Sequence, residues 1–315
     1  MDQDAVEAER LPSLRQCFVR NRSQWRMKTP AGLVALIEDG IIDAVVRPLK
    51  SGKEASVYLV ECGGELRCAK VYKEANRRGF HKLAEYQEGR KTRGSRDDRA
   101  MGKRSRHGRK VQEVAWKNAE VDALYRLAAV GVRVPQPYGF YEGVLVMERI
   151  ADADGEVASR LSEITPTAEQ ARSWHAFLMS QVVRMLCAGL IHGDLSEYNV
   201  LLDADGPVII DLPQAVDAAG NNNALLMLAR DVGNITAYCR RYAPELRETQ
   251  YAREIWALYQ NARLRPDTEL SGHFEEDNTR ADVDGVLLQI EEARREAEAC
   301  RRGREEAEAA WKAEY

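Results

Sequence analysis

The stretch HGDLSEYNVLLDADGPVIIDLPQA, residues 192–215, sets Asp194, Asn199 and Asp211 around apolar residues such as Val200, Leu201, Leu202, Ile209 and Ile210. Asn199 follows Asp194 by five positions, and Asp211 follows Asn199 by twelve, across Val200–Asp203, an Asp205-Gly206 turn and Val208–Ile210. That pattern predicts a short hairpin that returns the chain, so that Asp211 faces Asn199 across a small gap. An amide and a carboxylate so placed are hard oxygen ligands suited to Mg²⁺, with Mn²⁺ the alternative, a cation that takes oxygen donors together with substrate phosphates. Asp194 is then left to orient or deprotonate a nucleophile.

Such a cluster needs a second half that holds phosphates, and the earlier part of the chain supplies candidates. CAKVY places Lys70 in a strand between Ala69 and Val71, the setting expected of a lysine that contacts nucleotide phosphates. Glu120, in a helical pattern over 111–131, is its expected ion-pair partner; Glu113, two turns earlier on the same pattern, is the competitor. PLKSGKEASVY, residues 48–58, lies between two strand patterns, where a phosphate-covering loop belongs, and offers Lys53 and Ser56. It has no G-x-x-x-x-G-K followed by Ser or Thr, and no G-x-G-x-x-G, so neither a P-loop nor a dinucleotide fold is indicated. The order of a strand lysine, a helix glutamate, an aspartate, an asparagine five later and a further aspartate is the order of roles in protein kinases.

The elements that must position these groups follow from periodicity. AGLVALIEDG (31–40) reads as a short amphipathic helix closed by Gly40. IIDAVVRPL, ASVYLVE and ELRCAKVYK read as strands, the last two joined at Gly63-Gly64 as a hairpin. A further strand covers Val144–Ile150. Helical spacing returns over 168–189, 224–242 and 247–263. Residues 73–110 carry fourteen Lys or Arg against five Asp or Glu, and from 88 to 109 show almost no apolar periodicity. They read as a mobile basic loop inside a folded domain. Residues 281–312 read as a long solvated helix with i,i+4 charge pairs. The whole is an α+β chain of two lobes: an N-terminal extension over 1–40, a β-rich lobe over 41–150 with the basic loop at about 85–110, a helical lobe over 151–265 and a charged tail over 266–315.

Composition narrows the function classes without choosing one. The net charge of −4 over 315 residues predicts no partner from global electrostatics. Six cysteines are scattered with no C-x-x-C pair or zinc-like spacing, which suits a reducing compartment. MDQDAVEAER is polar and acidic, unlike a secretory signal, and no apolar run approaches a membrane span. The expectation is a cytoplasmic protein with no membrane partner.

SGKEASVY, HGDLSEYNVLL and IIDLPQAVD, with VPQPYGFYEGVLVMERI between them, resemble the RIO family of atypical protein kinases, in the branch whose nucleotide loop carries an S-T-G-K-E-A type sequence. The resemblance spans roughly residues 40–245, and the alanine- and arginine-rich composition reads as that of a bacterial member. It implies a two-lobed protein-kinase-like fold with a β-rich first lobe, a reduced helical second lobe and no long activation loop. It implies an ATP- and Mg²⁺-dependent serine kinase in which Asp194 is the catalytic aspartate and Asn199 and Asp211 are metal ligands. Lys70 would be the ATP lysine with Glu120 its partner, Ser56 and Lys53 would lie in the phosphate loop, and Met147 to Ile150 would form the hinge, the backbone of Glu148 and Ile150 meeting adenine. The metal aspartate of RIO proteins can also accept phosphate, which makes Asp211 catalytic in an alternative reading: an ATPase switch acting on a ribosome-related particle through an aspartyl-phosphate. Ser95 and Ser105 of the basic loop are candidates for self-phosphorylation, and the loop itself is a candidate contact for ribosomal RNA phosphates. One departure is that DLPQA stands where the family more usually has D-V-S-Q followed by Ala or Ser, so Pro213 removes a backbone N–H just after the metal ligand.

Two other classes share part of the pattern. Small-molecule kinases of the aminoglycoside or choline type also carry H-G-D-L, a later asparagine and I-D, but usually with H-P-G-N where this chain has SEYN. A nucleotide-sensing scaffold would lack a catalytic group, and here every group is present.

Overall fold

β-Branched strands and one hydrophobic helix turn account for the first lobe. The computed structural model describes residues 29–52, 54–73 and 119–274; Lys53, Glu113, the basic stretch with Ser95 and Ser105, and the 281–312 segment lie outside them. Strands β1 (Ala44–Ser51), β2 (Ala55–Cys62), β3 (Glu65–Tyr72), β4 (Pro137–Tyr141) and β5 (Val144–Glu148) form one sheet in the order β1-β2-β3-β5-β4. All its neighbouring pairs are antiparallel. Pro48 is tolerated because β1 is an edge strand, with register shifts at Val45/Arg47 and Pro48/Lys50.

Alternation along the central strands divides this sheet between two cores. On one face Val60, Ala69, Val144 and Val146 pack with Ile42 and with Leu33 and Leu36. Leu33 ends a 3₁₀ turn and Leu36 lies in α1 (Val34–Glu38). Ile41 and Ile42 precede the strand rather than begin it, since Ile42 is fully buried against those two leucines. On the opposite face Leu145 joins the core of the second lobe. Lys70 is the register partner of Leu145 across β3 and β5, so it shares that face and looks toward the cleft.

Residues 119–129 are helical (α2) and place Val121, Leu124 and Leu127 in the same large core. Gly131, with φ of +75°, turns the chain toward β4. The second lobe is built on α3 (Ala168–Cys187), α4 (Ala224–Cys239) and α5 (Tyr251–Gln260). Thr167 and Gln170 form a capping box at the start of α3, and Leu178, Met179, Val182, Val183 and Leu186 recur on its buried face. α5 starts later than its periodicity suggests, because Pro244 opens a separate 3₁₀ turn over Pro244–Glu248. Two small antiparallel pairs complete the lobe: β6 (Leu190–Ile191) with β9 (Val216–Asp217), and β7 (Val200–Leu202) with β8 (Pro207–Ile209). This is a two-lobed α+β fold of the protein-kinase kind. Among the described residues no helix is long and apolar enough to cross a membrane.

Candidate active site

Lys70 spans the two lobes. Its ammonium lies 2.5 Å from Glu120 Oε1 on α2 and 3.1 Å from Asp211 Oδ1 in the second lobe. Burial alone would lower the Lys70 pKa, but the two carboxylates outweigh it and the net shift is upward, so the ammonium stays charged. Asp211 mirrors this: burial pushes its carboxyl up, and the Lys70 ammonium overrides that to hold it below the usual range. Glu120 takes a second donor, the Tyr72 hydroxyl at 2.7 Å on its other oxygen. Burial and the Glu120 charge drive the Tyr72 phenol pKa upward, which keeps it a neutral donor.

The loop under Asp194 is held differently. The Asp194 side chain is exposed while Gly193 and Leu195 on either side are buried. Buried Asp231 on α4 accepts the Gly193 N–H at 2.8 Å on one oxygen and the Leu195 N–H at 2.9 Å on the other. Arg230 donates to the Gly193 carbonyl, and the Asn234 amide to the Leu195 carbonyl at 3.0 Å. Gly193 has φ of +80°, which a side chain would strain. His192 is buried; its Nδ1 accepts the Asp194 N–H at 3.3 Å, so Nε2 carries the proton and donates to the Ile210 carbonyl at 3.1 Å. Burial lowers its pKa to about 4, and the ring is neutral.

The β7–β8 hairpin brings the next two groups to this loop. Ile210 N–H donates to the Asn199 carbonyl at 2.9 Å, which sets Asp211 beside Asn199. The Asn199 amide nitrogen donates to the Asp194 carbonyl at 2.9 Å, so Oδ1 is the atom of this side chain that could ligate a cation. Asp211 itself has φ of +68° and a half-exposed carboxylate; aspartate is among the few residues that enter this region readily. Asn199 Oδ1 and the Asp211 carboxylate are a hard-oxygen pair. Among the described residues no group of three or more His, Cys, Asp or Glu could hold a metal. Two protein ligands suit Mg²⁺, which keeps waters and phosphate oxygens as its others. Pro213 stands at the second position of a turn. It follows Leu212 in a turn that the Ala215 N–H closes onto the Leu212 carbonyl at 3.0 Å, where proline is favoured.

Ser56, on β2, is buried with its hydroxyl 3.1 Å from that of Ser51. The loop around it is tied down by Gly52 N–H to the Ala55 carbonyl, Lys73 N–H to the Glu54 carbonyl, and Lys73 Nζ to the Gly52 carbonyl at 2.6 Å. Met147 is the register partner of Cys68 on β3 and of Pro137 on β4. Glu148 N–H already donates to the Gln136 carbonyl at 2.8 Å, and the Ile150 carbonyl accepts the Ala158 N–H at 3.1 Å. The expected strand Val144–Ile150 ends at Glu148, and the Glu148 N–H and the Ile150 carbonyl are already engaged by the protein's own backbone.

Sequence reading missed Arg230, Asp231 and Asn234, and also Tyr72. One signal was present: Asp231 falls within the apolar stripe Met227, Leu228, Val232, Ile235 of α4, a place where a carboxylate needs buried partners.

Comparison with known proteins agrees with this geometry. The RIO domain family model matches residues 56–252. The chain is 36% identical over 214 residues to the RIO-type serine/threonine-protein kinase Rio1 of Haloferax volcanii, covering 68% of this chain and 69% of that protein. It is 31% identical to the RIO-type serine/threonine-protein kinase Rio2 of Methanocaldococcus jannaschii, covering 66% and 72%. With the human serine/threonine-protein kinase RIO1 it shares 30% identity over 67% of this chain, spanning only 36% of that longer protein. The chain belongs to the RIO family of atypical serine/threonine protein kinases.

Proposed function

We propose that this chain transfers the γ-phosphate of ATP to a serine hydroxyl, its own serines included, with a divalent metal, Mg²⁺ in the first instance. The observation that carries the reading is the Lys70 ammonium bonded at once to Glu120 at 2.5 Å and to Asp211 at 3.1 Å. That arrangement joins the strand expected to hold phosphates to the carboxylate expected to hold the metal. Residues 41–150 and 151–265 would be the two lobes of the catalytic unit, flanked by an extension and a tail.

In this reading adenine docks on the Glu148 carbonyl and the Ile150 N–H, beside Met147. Lys70, oriented by Glu120, contacts the phosphates, and the loop that carries Lys53 covers them, with Ser56 at the start of β2 beside it. Asn199 Oδ1 and the Asp211 carboxylate would hold the metal, which supplies charge neutralisation to the phosphates. Asp194 accepts the proton of the attacking hydroxyl as the new O–P bond forms and the bond from the γ-phosphorus to the leaving ADP oxygen breaks. Positioning and electrostatics account for most of the rate.

The half-exposed, anionic Asp211 carboxylate favours one second reading, an ATPase switch on a ribosome-related particle. There the Asp211 carboxylate attacks the γ-phosphorus, ADP leaves, and water later cleaves the acyl phosphate. Incubation with γ-labelled ATP and Mg²⁺, beside Asp194→Ala and Asp211→Ala, separates the two. Acid-stable label on serine, lost in Asp194→Ala, supports the kinase. Hydroxylamine-labile label with free phosphate, lost in Asp211→Ala, supports the switch. Neither label nor free phosphate, in a protein that binds ATP, rejects both.

A further inference from the structure

Arg133 ties three parts of the molecule together. Its guanidinium reaches both oxygens of Glu148, at 3.0 and 3.2 Å, at the end of β5. The same group donates to Asp203 Oδ2 in the β7–β8 turn. Its main chain is fixed as well: Arg133 N–H donates to the buried Gln181 of α3 at 2.9 Å, and its carbonyl accepts the Ile209 N–H of β8 at 2.9 Å. Neither carboxylate is a loose surface group. Glu148 also accepts the Gln136 N–H at 3.0 Å. Asp203 Oδ1 accepts the N–H groups of both Asp205 and Gly206 at 2.8 Å and so closes the hairpin turn.

The position of these two carboxylates gives the arrangement its meaning. Glu148 lies two residues before Ile150, at the strand end assigned above to adenine. Asp203 lies at the tip of a hairpin whose first strand follows directly after Asn199 and whose second ends one residue before Ile210-Asp211. A tilt of that hairpin moves both candidate metal ligands together. We propose that Arg133 is a positioning residue that fixes the adenine-contacting strand end relative to the metal-binding hairpin, so that base and phosphates of one nucleotide are registered at the same time. Lysine could not replace it, because a planar fork with several donors is needed to serve two carboxylates from one point.

This inference rests on the proposed nucleotide site, and the test separates the two. The dissociation constant of ADP is measured with and without Mg²⁺, for wild type, Arg133→Ala, Arg133→Lys, Asp203→Asn and Glu148→Gln, with the thermal midpoint of each as a check on folding. Wild-type protein that fails to bind nucleotide overturns the underlying reading and, with it, this one. With wild-type binding in hand, Arg133→Ala should cut the gain in affinity that Mg²⁺ confers by about tenfold, because base and metal subsites no longer share one register. Arg133→Lys should recover less than half of that loss. Asp203→Asn combined with Glu148→Gln should cost no more than the larger single effect, since both act through one guanidinium. If Arg133→Ala does not fold, the Asp203 and Glu148 pair decides alone. An unchanged Mg²⁺ gain in Arg133→Ala, or strictly additive losses in the paired variant, overturns the proposal whatever the thermal midpoints show.

Discussion

The two halves of the candidate site are held by different physics. Around Lys70 the contacts are ionic and cross from lobe to lobe, and the Asp211 end is half exposed. Beneath Asp194 they are buried hydrogen bonds from one helix to one loop: Asp231 to two N–H groups, Asn234 and Arg230 to two carbonyls, and a neutral His192 behind. An incoming phosphate or metal can exchange for a half-exposed ion pair without leaving a buried charge behind. No ligand can exchange for the Asp231 contacts, which serve main-chain groups that water does not reach. The Lys70 end is therefore open to rearrangement by a ligand, and the Asp194 end is held fast by buried contacts.

Breaking each half should produce opposite signatures. Lys70→Met ought to lower phosphoryl transfer by about a thousandfold and also leave buried Glu120 with only the Tyr72 hydroxyl among these partners. The loss of stability should be about 3 kcal/mol, and nucleotide binding should weaken with it. Asp231→Ala should lower transfer by about a hundredfold and stability by about 3 kcal/mol, from two buried N–H groups stripped of their carboxyl acceptor, yet leave ADP affinity within a few-fold. Single-turnover rates, ADP titration and urea unfolding on both variants check this. Loss of ADP binding in Asp231→Ala equal to that in Lys70→Met would erase the distinction between the halves.

The two halves were also unequally legible in the sequence. Asp194, Asn199, Lys70 and Asp211 sit inside short strand and turn patterns, so their surroundings travel with them along the chain. The β7–β8 hairpin could be drawn from Val200–Asp203, Asp205-Gly206 and Val208–Ile210, and the structure has Val200–Leu202 paired with Pro207–Ile209. Arg230, Asp231 and Asn234 act on residues 36 to 39 positions away. Nothing local in ARDVGN names a partner, and only the acid within an apolar stripe hints at one. The Arg133 contacts, 15 and 70 residues apart in sequence, were illegible for the same reason. Strand ends were misjudged where tertiary packing overrode propensity, as at Ile41-Ile42 and after Glu148.

Acid offers a finer test of the same contrast. Burial lowers the pKa of His192 to about 4 and raises that of Asp231 to about 7. A histidine with a depressed folded pKa contributes stability above its unfolded value of about 6.5 that is lost as pH falls toward 4. A carboxyl with a raised folded pKa does the reverse: its charge is a penalty above 7 that is relieved as pH falls toward the unfolded value. Between pH 7 and 5 each amounts to about 2 kcal/mol, with opposite sign, so the Asp194 loop should be close to indifferent over that range. His175, buried against Thr236 and Tyr251 and also lowered to about 4, has no acidic counterpart of this kind among its contacts. Wild-type protein should therefore lose about 2 kcal/mol between pH 7 and 5, His175→Gln almost nothing, and His192→Gln should gain stability relative to wild type at pH 5. Denaturant unfolding at the two pH values settles it; a loss of about 4 kcal/mol in wild type, with His192→Gln still losing about 2, would mean that Asp231 does not take up the proton.

The smallest effect expected is at Tyr72, and it sharpens the comparison most narrowly. The Tyr72 hydroxyl is a neutral donor to Glu120 Oε2, while Lys70 holds Oε1. Tyr72→Phe keeps the ring, its edge-on contact with Phe140 and its place in the core, and removes one oxygen. The cost in stability should be about 1 kcal/mol, that of a single hydrogen bond to a carboxylate. If Glu120 does no more than neutralise Lys70, the KM for ATP and kcat stay within twofold of wild type, because the ion pair survives. If Glu120 must also be aimed, as the two-oxygen grip implies, it is free to rotate in Tyr72→Phe and Lys70 loses its register. KM for ATP should then rise about threefold at nearly constant kcat, since Asp194 is anchored by α4 and takes no part in the change. A fall in kcat with KM unchanged would instead connect Tyr72 to the Asp194 loop, and the separation of the two halves would fail at its weakest contact.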